Sequence, residues 1–316
     1  MSCTIVWNGL SPEEWDRRFA VLPRSTFLQS YDYARAVCAL QKQKARFGLI
    51  QINGKEAGLV QILETGILWD ALHTVILDRG PLWFEGFGGA AHIRMFFDEF
   101  NRRFPPRFGR KRRVLPEIED GMTARKMLES TGLRRMEGRE GYQTIWMDLG
   151  PEEEARRAAL KSNWRNKLNK SERSGLEIEW DERGMFFPWL LKTYALDKKI
   201  RGYDGPSPQF LDYLAKFLSS KGNMLIGRAL LDGRPVACVL FISHGRSATY
   251  QVGWSSEEGR RKAAHHLLLW DGTARLREKG ICEVDLGGVN DESAAGVKTF
   301  KEGLGGQGIC LVGHYF

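Results

Sequence analysis

Cysteine is scarce and shows no pairing pattern. Five are present, Cys3, Cys38, Cys238, Cys282 and Cys310, an odd number with no two close together. That spacing excludes a disulfide scaffold and a zinc ribbon. Cys38, Cys238 and Cys282 stand among apolar neighbours, so buried free thiols and a reducing, cytoplasmic setting are expected. The six histidines show no HExxH or comparable spacing, and no metal is expected. His265-His266, on an apolar stretch, reads as packing. There is no Walker loop and no Gly-x-Ser-x-Gly elbow. Gly86-Phe87-Gly88-Gly89 begins like a dinucleotide loop but lacks its last glycine and a downstream acid. No run approaches the ~18 apolar residues of a membrane span. The opening Met1–Trp7 has no basic n-region and is followed by Glu13, Glu14 and Asp16, so no signal peptide is expected.

What the chain has in excess is positive charge. Lys and Arg number 47 against 39 Asp and Glu, a formal charge of +8 that favours acidic partners such as nucleic acid, anionic lipid or phosphate-bearing substrates. The cations cluster. From Arg156 to Arg173 there are seven, with Glu172 the only acid. Read as one helix, this stretch turns Leu160, Trp164 and Leu168 inward and sets Arg157, Lys161 and Arg165 in a parallel stripe. The stripe suits phosphates, and equally a solvated face. A second cluster, Arg102-Arg103 and Arg107 to Arg113, is a basic loop leading into a strand. It suits nucleic acid, an anionic membrane surface, or water alone.

The chain also repeats itself. Residues 48–63 (GLIQINGKEAGLVQIL) and 227–242 (GRALLDGRPVACVLFI) each run apolar, turn at Asn-Gly or Asp-Gly, and run apolar again. These dipeptides are strong hairpin signals. An amphipathic helix precedes each hairpin, one holding Tyr31, Ala34 and Val37, the other Phe210, Leu211 and Leu214. A glycine-containing loop, a helix, a strand near Val114 or Val284, and a short helix ending in glycine follow each. Five successive matching elements indicate a tandem duplication, divided near Leu149-Gly150-Pro151.

Chemistry concentrates in the closing segment. Asp285-Leu286-Gly287-Gly288 ends a strand in a glycine turn, and Phe300-Lys301-Glu302-Gly303 follows on a short helix. A cation fixed beside a glycine-lined backbone is what a developing oxyanion requires. Asp285 could orient that lysine or an amine nucleophile. Arg79-Gly80-Pro81 offers a fork for a carboxylate or phosphate, and Tyr250-Gln251-Val252-Gly253-Trp254 a strand end whose rings could line a pocket. For both, a structural turn and strand packing remain open.

With these motifs in this order, the chain resembles the FemABX family of peptidyl aminoacyltransferases. The matching residues are Phe27-Leu28-Gln29-Ser30, Arg79-Gly80-Pro81, Thr144 with Asp148-Leu149, Lys161 through Gly175, Asp285 to Gly288, and Phe300-Lys301 with the closing glycines. The resemblance implies an α/β (α+β) fold of two tandem GNAT (acyl-CoA N-acyltransferase)-like domains, mixed sheets flanked by helices. They would cover 1–150 and 151–306, with 307–316 returning to the first. It implies transfer of an amino acid from aminoacyl-tRNA to an amine of a cell-wall (peptidoglycan) precursor or another small acceptor, lipid-linked or nucleotide-linked, without metal or cofactor. The acceptor chemistry also brings peripheral contact with the inner membrane surface. Lys301 would stabilise the tetrahedral intermediate, with Asp285 in support. Phe300, Arg79, Arg201 and Tyr250 would hold substrate, and Arg157, Lys161 and Arg165 would meet tRNA. No general base is identified. The competing reading is an acyl-CoA-dependent N-acyltransferase. Its pyrophosphate loop would fall at Glu258–His265, where alanine and histidine stand in place of glycines and Arg260 and Arg261 remain to grip phosphate. A non-enzymatic RNA-binding protein is the third reading; it explains the charge but not Lys301 between glycines.

Overall fold

Asn53 and Gly54, and again Asp232 and Gly233, hold left-handed φ values of 51° and 77°, and 50° and 73°. Two such residues in succession make the turn whose twist matches a hairpin. A computed structural model describes residues 2–69, 71–289 and 295–316. Around these turns the chain forms two units, Met1–Gln143 with Ile309–Phe316, and Thr144–Gly308.

The first unit runs β1 (Cys3–Trp7), α1 (Pro12–Phe19), α2 (Tyr31–Gln41), β2 (Lys44–Ile52), β3 (Lys55–Ile67), β4 (Leu72–Gly80), β5 (Leu82–Trp83), α3 (Ala90–Arg103), β6 (Arg110–Pro116) and α4 (Met122–Ser130). Its sheet has the order β1-β2-β3-β4-β6, with β5 also on β3. All neighbours are antiparallel except β4 and β6. Phe96, Phe97 and Phe100 of α3 pack on this sheet with Ile50, Val75, Leu77 and Val114.

The second unit runs β7 (Gln143–Asp148), α5 (Glu153–Ala159), α6 (Ser162–Glu172), β8 (Glu177–Asp181), α7 (Phe187–Arg201), α8 (Pro208–Leu218), β9 (Met224–Leu231), β10 (Arg234–His244), β11 (Ser247–Ser255), α9 (Glu257–Arg261), α10 (Ala264–Glu278), β12 (Glu283–Asp285), α11 (Ala295–Glu302) and β13 (Gln307–Cys310). Its sheet order is β13-β7-β12-β11-β10-β9-β8. The run β8-β9-β10-β11-β12 repeats the first unit's pattern: three antiparallel pairs, then a parallel one. The unit begins ahead of the expected Leu149-Gly150-Pro151 division, because β7 pairs with β12 and thereby joins the second sheet.

Two differences matter for function. First, the basic stretch is two helices, not one. Leu160 is extended (ψ 135°), and the Lys161 N–H is donated to the Gly303 carbonyl at 3.0 Å. Leu160, Trp164 and Leu168 are all buried as expected, but Arg157, Lys161 and Arg165 do not share one helical stripe. Second, the parallel pairs differ in length. In the first unit β4 and β6 stay paired from His73↔Arg110 to Gly80↔Pro116. In the second, β11 and β12 pair only from Ser247↔Glu283 to Thr249↔Asp285, although β11 continues to Ser255. The register of β11 against β10 skips Gln251, a bulge that bends the strand where its partner leaves.

Candidate functional site

Where β11 and β12 part, the second unit holds a cavity of about 430 Å³. Tyr250, Gly253, Trp254 and Ser255 come from the unpaired half of β11, Arg260 from α9, His265 and His266 from the start of α10, and Phe300 and Lys301 from α11. Tyr250, Trp254, His265, His266 and Phe300 put rings on its wall, as in small-molecule sites.

Lys301 is buried, with 7% of its surface exposed. Its ammonium donates to the carbonyls of Gly287 (3.2 Å) and Gly288 (3.0 Å), and lies 6.0 Å from the centre of the Tyr250 ring. Among the described residues no acceptor takes its third N–H. Burial pushes the ammonium's pKa down from 10.5 to about 8, opposed by the charge of Asp285. It is therefore still mostly a cation at neutral pH. Asp285 acts through the backbone: its carboxylate accepts from the Gly287 N–H at 2.8 Å and from the Thr144 hydroxyl. This ties down the turn in which Gly287, at φ 76°, aims its carbonyl at Lys301.

The remaining wall is a neutral hydrogen-bond chain. The Tyr250 hydroxyl and His265 Nε2 are 2.7 Å apart, and His265 Nδ1 lies 3.3 Å from the Ser255 hydroxyl. Burial drives His265 down to about 4 and pushes the Tyr250 phenol far above its ordinary range, so neither carries charge near neutrality. The chain depends on Gly253: a Cβ there would lie 1.7 Å from the Tyr250 oxygen and 2.4 Å from the His265 ring. His266 packs between Trp164 (4.8 Å) and Phe300 (4.9 Å) and is pushed down to about 3 by burial and then by Lys167.

The structure assembles Lys301, Asp285, Phe300, Tyr250 and Arg260 around one site. Arg79 lies in the first unit, where its fork is taken by Glu117 at 2.7 and 2.8 Å under the Tyr142 ring; the grip expected for a ligand is a buried ion pair. Arg201 closes α7, paired with Asp197 outside the cavity. Arg157 is held by Glu172 and Asn169 and stacks on Trp270. Lys161 pairs with Glu302 and lines a second cavity of about 330 Å³ that shares Lys167, His266, Gly296 and Phe300 with the first. Arg165, on α6, and Arg261, exposed on α9, line neither. Lys167, a member of the basic stretch, lines both cavities, and His265 and His266, expected as packing, line the first. The signal for the histidines was their place directly after the glycine-containing segment that follows β11.

Residues 154–302, most of the second unit, match the family model described as "Acetyltransferase (GNAT) domain". No curated protein matches the sequence. Among solved structures, FemX is similar over 98% of this chain and 96% of its own, with a TM-score of 0.80 at 14% identity. The C-terminal domain of a putative lysylphosphatidylglycerol synthetase from Agrobacterium fabrum covers 96% of this chain and 91% of its own, TM-score 0.56 at 15% identity. A tandem GNAT protein from the clavulanic acid biosynthesis pathway covers 99% and 98%, TM-score 0.52 at 11% identity. Identities this low speak for the fold, and the fold is FemX-like tandem GNAT. Among the described residues no helix is long and apolar enough to cross a membrane.

Proposed function

We propose that this FemX-like tandem GNAT protein forms an amide bond by moving an amino acid from aminoacyl-tRNA onto the amine of a small acceptor, of which a cell-wall peptide precursor is one. The observation that carries the reading is Lys301, a buried cation whose two backbone carbonyls fix it on the cavity wall. The acceptor nitrogen attacks the ester carbonyl, a C–N bond forms, and the oxyanion develops beside the Lys301 ammonium. Collapse breaks the C–O bond and releases the ribose hydroxyl. The amine's proton is passed to that leaving oxygen, and the Tyr250–His265–Ser255 chain provides a neutral relay for it. Asp285 is a positioning residue that holds the Gly287-Gly288 turn.

Lys167 and Arg260 in the first cavity supply cations for a phosphate-rich donor, and Lys161, exposed at the second beside Glu302, would have to exchange that partner for a phosphate. Arg157, in its ion pair with Glu172, supports α5 and α6 instead. The main competitor is an acyl-CoA donor, favoured by the family match and by the start of α10 at the cavity. Against it, alanine and histidine stand at the glycine positions of a pyrophosphate loop in Glu258–His265, and the stretch before α10 is the helical turn α9 rather than an open glycine loop.

The test is to incubate the protein with charged tRNA or with acyl-CoA and a mixed pool of amines. Amine-dependent deacylation of the tRNA is the expected result. Consumption of acyl-CoA alone transfers the assignment to the competitor, and consumption of neither refutes both and leaves RNA binding.

A further inference from the structure

The first unit carries an apolar surface that the proposed chemistry does not use. The β3–β4 hairpin tip exposes Ile67, Leu68, Trp69 and Leu72, and the loop between α3 and β6 exposes Phe108. Trp69 and Phe108 are fully exposed. Leu68 and Trp69 both hold left-handed φ values, 52° and 56°, a conformation that bulky side chains rarely adopt. A turn there would be served by glycine or asparagine; the chain instead places two large apolar groups at the tip.

The two tips form one surface. The His73 N–H is donated to the Gly109 carbonyl at 2.8 Å, and Arg107 donates to the Ala71 carbonyl at 3.3 Å. Gly109, at φ 77°, permits this approach, since a Cβ there would lie 2.1 Å from the Ala71 oxygen. Between the loops lies a cavity of about 380 Å³, with Ile67 and Leu72 on its apolar side and Thr65, Thr74, Arg110 and Lys111 on its polar side. The flanking charge is predominantly positive, with Asp70 the one acid between Ile67 and Leu72 in sequence, and Arg102 and Arg113 paired with Glu99 and Asp78. From Arg102 to Pro116 there are seven cations and no acid.

The geometry points to a docking surface for an anionic phospholipid bilayer. Trp69, Leu68 and Phe108 would enter the interface, with Arg103, Arg107 and Lys111 at headgroup level and a lipid phosphate in the cavity beside Arg110. Apolar tips ringed by cations are what an interfacial anchor requires, and tryptophan favours that boundary. RNA explains the cations but not Ile67, Leu68 and Leu72, which have no place against a hydrated polyanion. The inference stands apart from the acyl-transfer reading and does not depend on it.

The experiment is sedimentation of the full chain with vesicles of phosphatidylcholine alone, and of phosphatidylcholine mixed with phosphatidylglycerol. The wild type should bind the mixed vesicles and not the neutral ones. Trp69→Ser with Phe108→Ser should weaken binding by about tenfold or more while leaving the melting temperature unchanged, because both side chains are fully exposed. Arg103→Gln with Lys111→Gln should weaken it and flatten its salt dependence. Failure of the wild type to bind mixed vesicles overturns the inference, as does wild-type binding by the double serine variant. So does tRNA binding that disappears in the serine variant while vesicle binding persists.

Discussion

Replacing Lys301 by methionine should lower turnover sharply while leaving the protein nearly as stable at neutral pH. Methionine keeps the apolar stem and removes the charge. Turnover should fall by about 10²–10³, the loss expected for one oxyanion donor. Stability is set by two opposing terms. Lowering the ammonium's pKa from 10.5 to about 8 corresponds to about 3 kcal/mol of charge burial, at about 1.4 kcal/mol per tenfold. Methionine relieves that cost. It also strips a donor from the Gly287 and Gly288 carbonyls, each loss worth about 1–2 kcal/mol, so the two terms nearly cancel. The balance changes with pH. Below about 8 the lysine is charged in both the folded and the unfolded chain, and its burial cost is fully present. Between about 8 and 10.5 the unfolded chain binds a proton that the folded one does not, so wild-type stability rises. The variant lacks this gain and should become the less stable protein there, by about 2–3 kcal/mol. Urea unfolding at several pH values measures it, beside deacylation of donor in the presence of acceptor. Wild-type turnover should decline above pH 8 as the cation is lost. Near-normal turnover in the variant refutes the role assigned to Lys301. A stability difference that does not change with pH refutes the account of its burial.

Gly253→Ala should drive Tyr250 and His265 apart, given a Cβ that would lie 1.7 Å from the phenol oxygen; kcat should fall more than KM changes, and equal effects on both would count against a relay. Neutralising Lys167 and Arg260 together should weaken donor binding and lower its salt slope by about one per cation. Arg157→Gln should instead leave the slope alone and lower the melting temperature, because its partner is Glu172. A filter-binding series across salt concentrations separates the two, and a reduced slope for Arg157→Gln would reverse the assignment.

The hairpins and the element order were legible because Asn-Gly and Asp-Gly turns are local chemistry, and so was Lys301, flanked by glycines on both sides in the chain. Arg157 was misread because the helical period assumes an unbroken helix. The break at Leu160 exists to serve Gly303, far along the sequence. Arg79 looked ready for a ligand, and only the folded chain brings Glu117 to it. The histidines of α10 were passed over for the same reason. Whether a buried imidazole packs in a core or faces a cavity is decided by where β12 leaves β11, and pairing length is a tertiary property. That length also separates the duplicated halves, since the matching strands of the first unit remain zipped.

The last eight residues, Ile309–Phe316, belong to the first unit. Val312 and Tyr315 are fully buried in its core, and Tyr315 exchanges backbone hydrogen bonds with Val114 at 2.8 and 2.9 Å. The first unit is therefore discontinuous: its core is closed by residues that follow the whole of the second unit in sequence. Although most of it is synthesised earlier, the first unit cannot close its core before Ile309–Phe316 have been made. Removing Ile309–Phe316 would spare every residue that lines the Lys301 cavity and still strip the first unit's core of Val312 and Tyr315.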